Sequence, residues 1–285
     1  NPINLGVYIT LFPQLIAGPI VRYHDIARQI SDRKVTLGGF CSGIERFIIG
    51  LAKKVLLANT LGLMADSVFK YSPSELPTFA VWLGAISYTL QIYYDFSGYS
   101  DMAIGLGKMF GFTFLENFNF PYISRSIQEF WRRWHISLSN WFRDYLYIPL
   151  GGNRKGSWIT IINLFVVFFL CGLWHGASWT FVVWGLFHGF FLVLERGRWG
   201  DLLHRAPAFV GHVYVLLVVL VGWIFFRADT LSQATELLGV LVGGEKTSLV
   251  PYTVLLRMDA LYFVTLGCSL LCMAPIPAFV RKNIQ

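Results

Sequence analysis

An isolated histidine, His175, sits near the middle of the longest uncharged stretch of the chain, residues 156–194, within Leu173-Trp174-His175-Gly176. Imidazole is the side chain best suited to moving a proton near neutral pH, and an ionisable group in apolar sequence is costly enough to point to function. The other reading is a neutral ring that ties two helices together by a hydrogen bond. A second histidine, His135, follows Phe130-Trp131-Arg132-Arg133-Trp134, where either proton transfer or aromatic packing with a polar tip fits. His188, in line with Trp184 and Glu195, reads as structural, and His24, His204 and His212 lie in basic or boundary segments. Residues 93–101 set Asp95, Asp101 and the hydroxyls of Tyr93, Tyr94, Ser97, Tyr99 and Ser100 amid apolar sequence. Such groups must be paired or hydrated, as a polar path or as an inter-helix network. The sequence contains no nucleotide-binding glycine loop, no G-x-S-x-G elbow and no metal-ligand spacing. Cys41, Cys171, Cys268 and Cys272 form no C-x-x-C pair and read as buried structural thiols.

The elements that must hold these groups are membrane helices. Hydrophobic residues make up 55% of the chain and charged residues only 14%, against about a quarter in a soluble domain, and mean hydropathy is +0.56. Apolar runs of roughly the 20 residues that cross a bilayer cover 76–94, 208–226 and, interrupted by Arg257 and Asp259, 248–274, with Pro275 and Pro277 ending the last. The uncharged run 156–194 is long enough for two helices, with His175 at a recessed apex between them. Pro13, Gly18 and Pro19 predict a bent or broken span over residues 3–21. Residues 37–63, carrying Glu45, Arg46, Lys53 and Lys54, predict a helix at the interface or against other helices. Gly98, Gly105, Gly107 and Gly111 in 96–114 permit close helix packing. Residues 124–145 predict a single amphipathic helix at the interface. On it Trp131, Trp134, His135, Leu138 and Phe142 share one face, Arg133, Ser137, Asn140 and Asp144 another, and Glu129 pairs with Arg132 or Arg133.

The net charge of +7 gathers in clusters beside apolar runs: Arg22 to Lys34, Arg132 to Lys155, Arg196 to Arg205, and Arg281 with Lys282. That is the pattern of cytoplasmic loops, not of a nucleic-acid surface. With those clusters inside, the chain goes out and back between 156 and 195 and again between 206 and 280, which turns His175 and Arg227-Ala228-Asp229-Thr230 outward. The chain reads as one membrane domain, 1–285. Starting at Asn1 inside an apolar stretch, it also reads as a fragment or processed chain.

Residues 13–20, 94–101, 130–137, 141–147 and 173–176, in this order, resemble the membrane-bound O-acyltransferase superfamily over most of residues 5–195. Ile148-Pro149-Leu150-Gly151-Gly152-Asn153-Arg154-Lys155-Gly156 is similar to its bacterial branch, which includes the alginate O-acetyltransferase membrane subunit, and the D-alanyl transfer proteins are more distant. The resemblance implies an all-α polytopic helical bundle with re-entrant or interfacial helices and a central tunnel. It also implies further helices before residue 1. His175 and His135 are then the catalytic histidines, the first as general base and the second as an orienting or thioester-side group, with a transient acyl-histidine as the other route. Asp95, Ser97, Tyr99, Asp101, Trp174 and Asn140 are the candidates to line the tunnel. The implied donor is acetyl-CoA or another acyl thioester, with no bound cofactor or metal. The implied acceptor is an extracytoplasmic polysaccharide at the bacterial inner membrane, reached with an SGNH-type acetyltransferase or acetyl-relay partner. Two rival functions are a transporter, which would carry an inverted repeat not found here, and a scaffold for a catalytic partner.

Overall fold

A computed structural model of the chain describes residues 1–15, 18–245 and 247–275. Ile16 and Ala17 of the Pro13–Ile20 segment, and the expected features at Pro277 and at Arg281 with Lys282, lie outside the described residues. Fourteen α-helices and no strand occur among those described. Helix α1 (Pro2–Thr10) ends at a 3-10 turn carrying Pro13 (Phe12–Gln14), so the expected break in residues 3–21 is present. Helix α2 (Tyr23–Asp32) leads to α3 (Leu37–Ala52) and α4 (Asn59–Phe69), joined without a break by a π turn, Lys53–Ala58. The continuous stretch Leu37–Phe69 is long and apolar enough to cross a membrane. Of the two expected placements the structure shows packing against another helix, since Arg46, Lys53 and Lys54 meet carboxylates of α5 (Thr78–Met109). Arg46 Nη2 lies 2.6 Å and Lys53 Nζ 2.7 Å from Asp101, and Lys54 Nζ lies 2.5 Å from Asp95.

Helices α3 and α5 run antiparallel with their backbones almost touching. A Cβ placed on Gly43 would lie 2.6 Å from the Gly105 carbonyl, and one on Gly50 would lie 2.5 Å from that of Gly98. The two glycine pairs repeat at seven-residue spacing on both helices, so the seam is small-residue packing of the kind that drives association in lipid. Residues 76–94 were expected as a span of their own. They form the first half of the continuous α5, whose second half carries the glycines and carboxylates.

The segment 124–145 is not one helix. Helix α6 (Ile127–Arg133) and α7 (Ile136–Phe142) are separated at Trp134-His135, and His135 takes the left-handed conformation, φ 43° and ψ 54°. A side-chain-bearing residue rarely does so unless its surroundings impose it. Glu129 pairs with Arg133, 2.9 Å away, and Ser137, expected on the polar face, is buried at 3% exposure. A second π turn, Arg143–Tyr147, follows α7.

The uncharged run divides as expected, into α8 (Ser157–His175) and α9 (Trp179–Leu194), which pack closely where Gly172 meets Phe181 and Gly185 meets Phe168. Helix α10 (Arg198–Arg205) precedes α11 (Ala208–Arg227). Helices α8 and α11 both meet the length and hydropathy of a membrane span. Helix α12 (Leu231–Leu241) folds back on the start of α5, where Thr78 Oγ1 and Trp82 Nε1 donate to the Val240 and Leu241 carbonyls. Residues 248–274, expected as one span, are instead α13 (Tyr252–Leu255) and α14 (Ala260–Cys272). The break falls where Asp259 turns its carboxylate onto the Tyr262 amide at 2.7 Å, capping α14. Of the cysteines only Cys171 is buried. Cys41, Cys268 and Cys272 stand on outward helix surfaces, which corrects the expectation of four buried thiols.

The Arg22–Lys34 segment, the end of α5 and the start of α8 lie at one end of the bundle. Arg22 bonds Asp144 at 2.5 Å, and Gln29 exchanges two hydrogen bonds with the backbone of Thr113. That basic end orients everything that follows.

If the glycine seam holds α3 to α5, Gly50→Leu will destabilise the detergent-solubilised protein by on the order of 1–3 kcal/mol or more, the usual cost of overpacking. Gly38→Ala, where no atom lies within 4 Å of the added methyl, will leave the melting temperature unchanged or slightly raised. Thermal unfolding followed by size-exclusion chromatography compares the two.

Candidate active site

Two cavities open along α8. The first, about 440 Å³, is lined by Trp131, Arg132, Asn140, Cys171 and Arg196 among others, and lies toward the basic end. The second, about 480 Å³, contains both candidate histidines, His135 and His175, together with Gln91, Asp95, Tyr99 and Trp174. Cys171 borders one cavity and His175 the other. They are one helical turn apart, about 6 Å along the axis at 1.5 Å per residue, so a single turn of α8 separates the chambers.

Of the residues expected to line a tunnel, Asp95, Tyr99 and Trp174 do meet the two histidines. Asn140 borders the other cavity. Ser97 and Asp101 border neither: Ser97 is buried with its hydroxyl unpaired among the described residues, and Asp101 is tied to Arg46 and Lys53. Side chains on a helix advance about 100° per residue, so Asp95 and Asp101 point about 120° apart and cannot share a wall. The face that does line the cavity runs Tyr88, Gln91, Ile92, Asp95, Phe96, Tyr99. Tyr88 and Gln91 were missed in the sequence. Their offsets of seven and four before Asp95 are the signal that finds them once α5 is known to be continuous.

His135 is held by a residue to which the sequence drew no attention, Asn117, itself fully buried. The Asn117 Oδ1 atom receives the Ser137 amide at 3.1 Å and the Ser137 hydroxyl at 2.9 Å, and lies 3.1 Å from His135 Nδ1. An oxygen already accepting a backbone N–H is an acceptor, so Nδ1 must carry the ring proton and Nε2 keeps its lone pair. Ser137 Oγ in turn accepts the Ile20 amide at 2.9 Å, which fastens the segment after Pro19 to the same cluster. Phe96 meets the imidazole edge-on with centroids 4.6 Å apart, and Phe118 stacks at 6.4 Å. The left-handed backbone of His135 is the means by which α6 and α7 bring this ring to the cavity.

His175 is placed differently. It is the last residue of α8, ringed edge-on by Trp174 at 4.8 Å, Trp184 at 5.1 Å and Phe226 at 5.1 Å. Among the described residues neither of its ring nitrogens has a hydrogen-bond partner, so both are available to a substrate. Trp184 continues the aromatic wall to His188 (5.3 Å) and His188 to Trp131 (5.1 Å), which lines the first cavity. His188 is fully buried, as expected of a structural residue, with no partner on either nitrogen among the described residues. No group of three or more His, Cys, Asp or Glu side chains able to hold a metal occurs among the described residues. The arrangement offers one fixed imidazole lone pair and one free imidazole in a chamber walled by aromatic rings. That suits proton transfer to and from a hydroxyl or thiol.

Residues 1–225 match the model of the MBOAT, membrane-bound O-acyltransferase family. The chain is 50% identical to a probable alginate O-acetylase of Pseudomonas putida over 85% of its own length and 49% of that protein. It is 40% identical to a peptidoglycan O-acetyltransferase of Helicobacter pylori over 87% of its length and 48% of that protein. A teichoic acid D-alanyltransferase of Bacillus subtilis is 32% identical over 65% of this chain and 49% of its own. The chain thus spans about half the length of the curated relatives it matches. It belongs to the membrane-bound O-acyltransferase family and is an integral membrane protein.

Asn117→Ala leaves three buried donors without their acceptor, each costing about 1–3 kcal/mol. Full-length Asn117→Ala protein is expected to lose most of its turnover, and adding His135→Ala is expected to cost little more. A double-mutant cycle measures the pair; independent, additive losses would separate Asn117 from His135.

Proposed function

We propose that this member of the membrane-bound O-acyltransferase family moves an acetyl group from a cytoplasmic thioester toward hydroxyls of an extracytoplasmic polysaccharide. The observation that carries this reading is the pair of chambers one turn of α8 apart, with His135 and His175 both in the chamber farther from the basic end. The alginate O-acetylase and peptidoglycan O-acetyltransferase names of its relatives support acetyl as the acyl group and a glycan as the acceptor.

The first chamber is the donor's. Arg143 and Arg22 engage the Asp144 carboxylate and hold it down at about 2, so Arg143 is already matched. Arg132 and Arg196 line the same chamber with no carboxylate partner among the described residues, and Trp131 and Tyr147 supply ring faces. Two unmatched guanidiniums beside aromatic rings suit the phosphates and base of acetyl-CoA, with the thioester arm reaching past Cys171 to the histidines.

In the second chamber His175 acts as general base. It takes the proton from the acceptor hydroxyl as oxygen attacks the thioester carbonyl, and returns that proton to the departing sulfur. The products are an O-acetyl ester and a free thiol. A positioned base of this kind contributes about 10²–10⁴ in rate, and the thioester supplies the driving force without a metal or bound cofactor. His135, with Nδ1–H fixed on Asn117, turns its Nε2 lone pair to the thioester side, where it orients the reacting groups. The same lone pair suits a transient acyl-imidazole if transfer is relayed. An SGNH-type acetyltransferase or acetyl-relay protein beyond the bacterial inner membrane would complete delivery to the polysaccharide.

Full-length protein carrying His175→Ala is expected to reach normal abundance in the membrane and to abolish acetyl-ester formation on surface polysaccharide. Near-normal ester content would remove His175 from the role of base. The sidedness has its own test, cysteine accessibility in a background lacking the native thiols. Position 229 is expected to label from outside and position 200 only from the cytoplasm. The reverse pattern would overturn the direction of transfer.

A further inference from the structure

A third cavity, about 200 Å³, stands where α9 stops and α11 begins, and the reaction above does not use it. Its walls are joined by specific contacts. Gly211 lets α11 press against the segment before α6, where an added Cβ would come 2.8 Å from the Arg125 carbonyl. Gly200 does the same for α10 against the Glu195 carbonyl. His212 donates from Nδ1 to the Ser124 carbonyl at 3.2 Å, beside the same wall. The carboxylates here are already engaged. Glu195 accepts the backbone amides of Ile127 and Gln128 at 2.5 and 2.9 Å, one on each oxygen. Glu129 accepts Arg133 on one oxygen and the Arg125 amide on the other. The guanidiniums of Arg125 and Arg196, which also line the cavity, have no carboxylate partner among the described residues.

Two unmatched guanidiniums among engaged carboxylates favour an anion with several acceptor oxygens, which is the chemistry of a phosphate group. A nucleotide and a lipid both carry one. No Phe, Tyr or Trp occurs among the residues lining this cavity, so it has no ring face on which a base would stack. The position favours a lipid. Ala208, in the cavity wall, is the first residue of the membrane-span candidate Ala208–Arg227, which sets the cavity at the level of the headgroups. Beside it Phe209, Val213 and Leu217 recur every fourth residue at 66%, 50% and 47% exposure, an outward apolar stripe along α11 against which acyl chains can lie. An ammonium headgroup finds no free carboxylate here, so the headgroup that fits is one with net negative charge.

We propose that this cavity binds the phosphodiester headgroup of an anionic phospholipid, held by Arg125 and Arg196, with its chains along α11. Basic pockets between membrane helices recognise acidic headgroups in this way. Arg196 borders the donor chamber as well, but the proposal concerns lipid binding alone and stands apart from the acyl-transfer reading.

The test is native mass spectrometry of the delipidated full-length protein, titrated with phosphatidylglycerol or with phosphatidylcholine of identical chains. The wild type is expected to bind one phosphatidylglycerol about tenfold more tightly than phosphatidylcholine, the scale of one hydrogen bond to a charged group. Arg125→Gln is expected to remove most of that preference, and Arg125→Lys, which keeps the charge, to retain part of it. Arg205→Gln, on α10 but outside the cavity, is expected to leave it unchanged. All three variants are expected to keep the wild-type melting temperature, which separates lost binding from lost fold. Equal binding of the two lipids by the wild type would overturn the site. So would equal losses in Arg125→Gln and Arg205→Gln, which would reduce the preference to general surface charge. Displacement of the bound lipid by inorganic phosphate or by adenosine 3′,5′-bisphosphate would assign the cavity to a soluble phosphate and overturn the lipid.

Discussion

The backbone contact between α3 and α5 is the constraint on which the rest depends. Four glycines, paired Gly43 with Gly105 and Gly50 with Gly98, let two long helices approach until carbonyl oxygens occupy the space of missing side chains. At that distance a lysine from one helix reaches a carboxylate on the other without leaving the bundle, and the buried Asp101 is neutralised where water is scarce, with Asp95 paired beside it at the open chamber. A buried unpaired carboxylate would otherwise be prohibitive. The seam thereby fixes the rotation of α5, and that rotation decides which residues face the histidines. Gln91 and Asp95 enter the chamber because Asp101 is turned into the seam.

The parts of this arrangement that the sequence disclosed were those set by local composition. The uncharged run 156–194 was long enough for two helices, and the position of His175 at the apex between them followed from counting. The break at His135 had no such signal. Its left-handed backbone is held by Asn117, eighteen residues earlier and outside every motif, so helical periodicity across 124–145 described a helix that tertiary hydrogen bonds interrupt. Asn140, placed on one face of that imagined helix, consequently borders a different chamber. Residues 248–274 misled for the opposite reason: apolar composition was sufficient, but Asp259 found a local backbone partner and ended the span.

The two imidazoles are held in contrasting ways, and the contrast has a physical basis. His135 is immobilised from behind, with one nitrogen committed and one presented. His175 is confined by aromatic rings, three met edge-on and Phe181 stacked at 6.5 Å, which restrict its plane and leave both nitrogens open among the described residues. A group that must first accept and then release a proton benefits from the second environment, while a group that must present one lone pair in one direction benefits from the first. Between the chambers the wall is made of rings whose nitrogens, on Trp131, Trp184 and His188, are buried without protein partners among the described residues. The boundary is therefore polar at points along its aromatic surface.

Both π turns among the described residues, Lys53–Ala58 and Arg143–Tyr147, open with two charged residues in succession. In an ordinary helix neighbours diverge by about 100°, and adjacent lysines could not readily both serve one flank. The wider turn spreads one extra residue over the circuit, and Lys53 and Lys54 reach carboxylates six positions apart on α5. Such a turn behaves as an insertion absorbed without a loop. Excising a single residue there would leave a helix in place but re-index every side chain on one side of the cut relative to the other. The length of the helix between Leu37 and Phe69 is thus tolerant, and its phase is not. Comparisons of related chains by length alone would overlook the one position where losing a residue turns half a wall away from its partner.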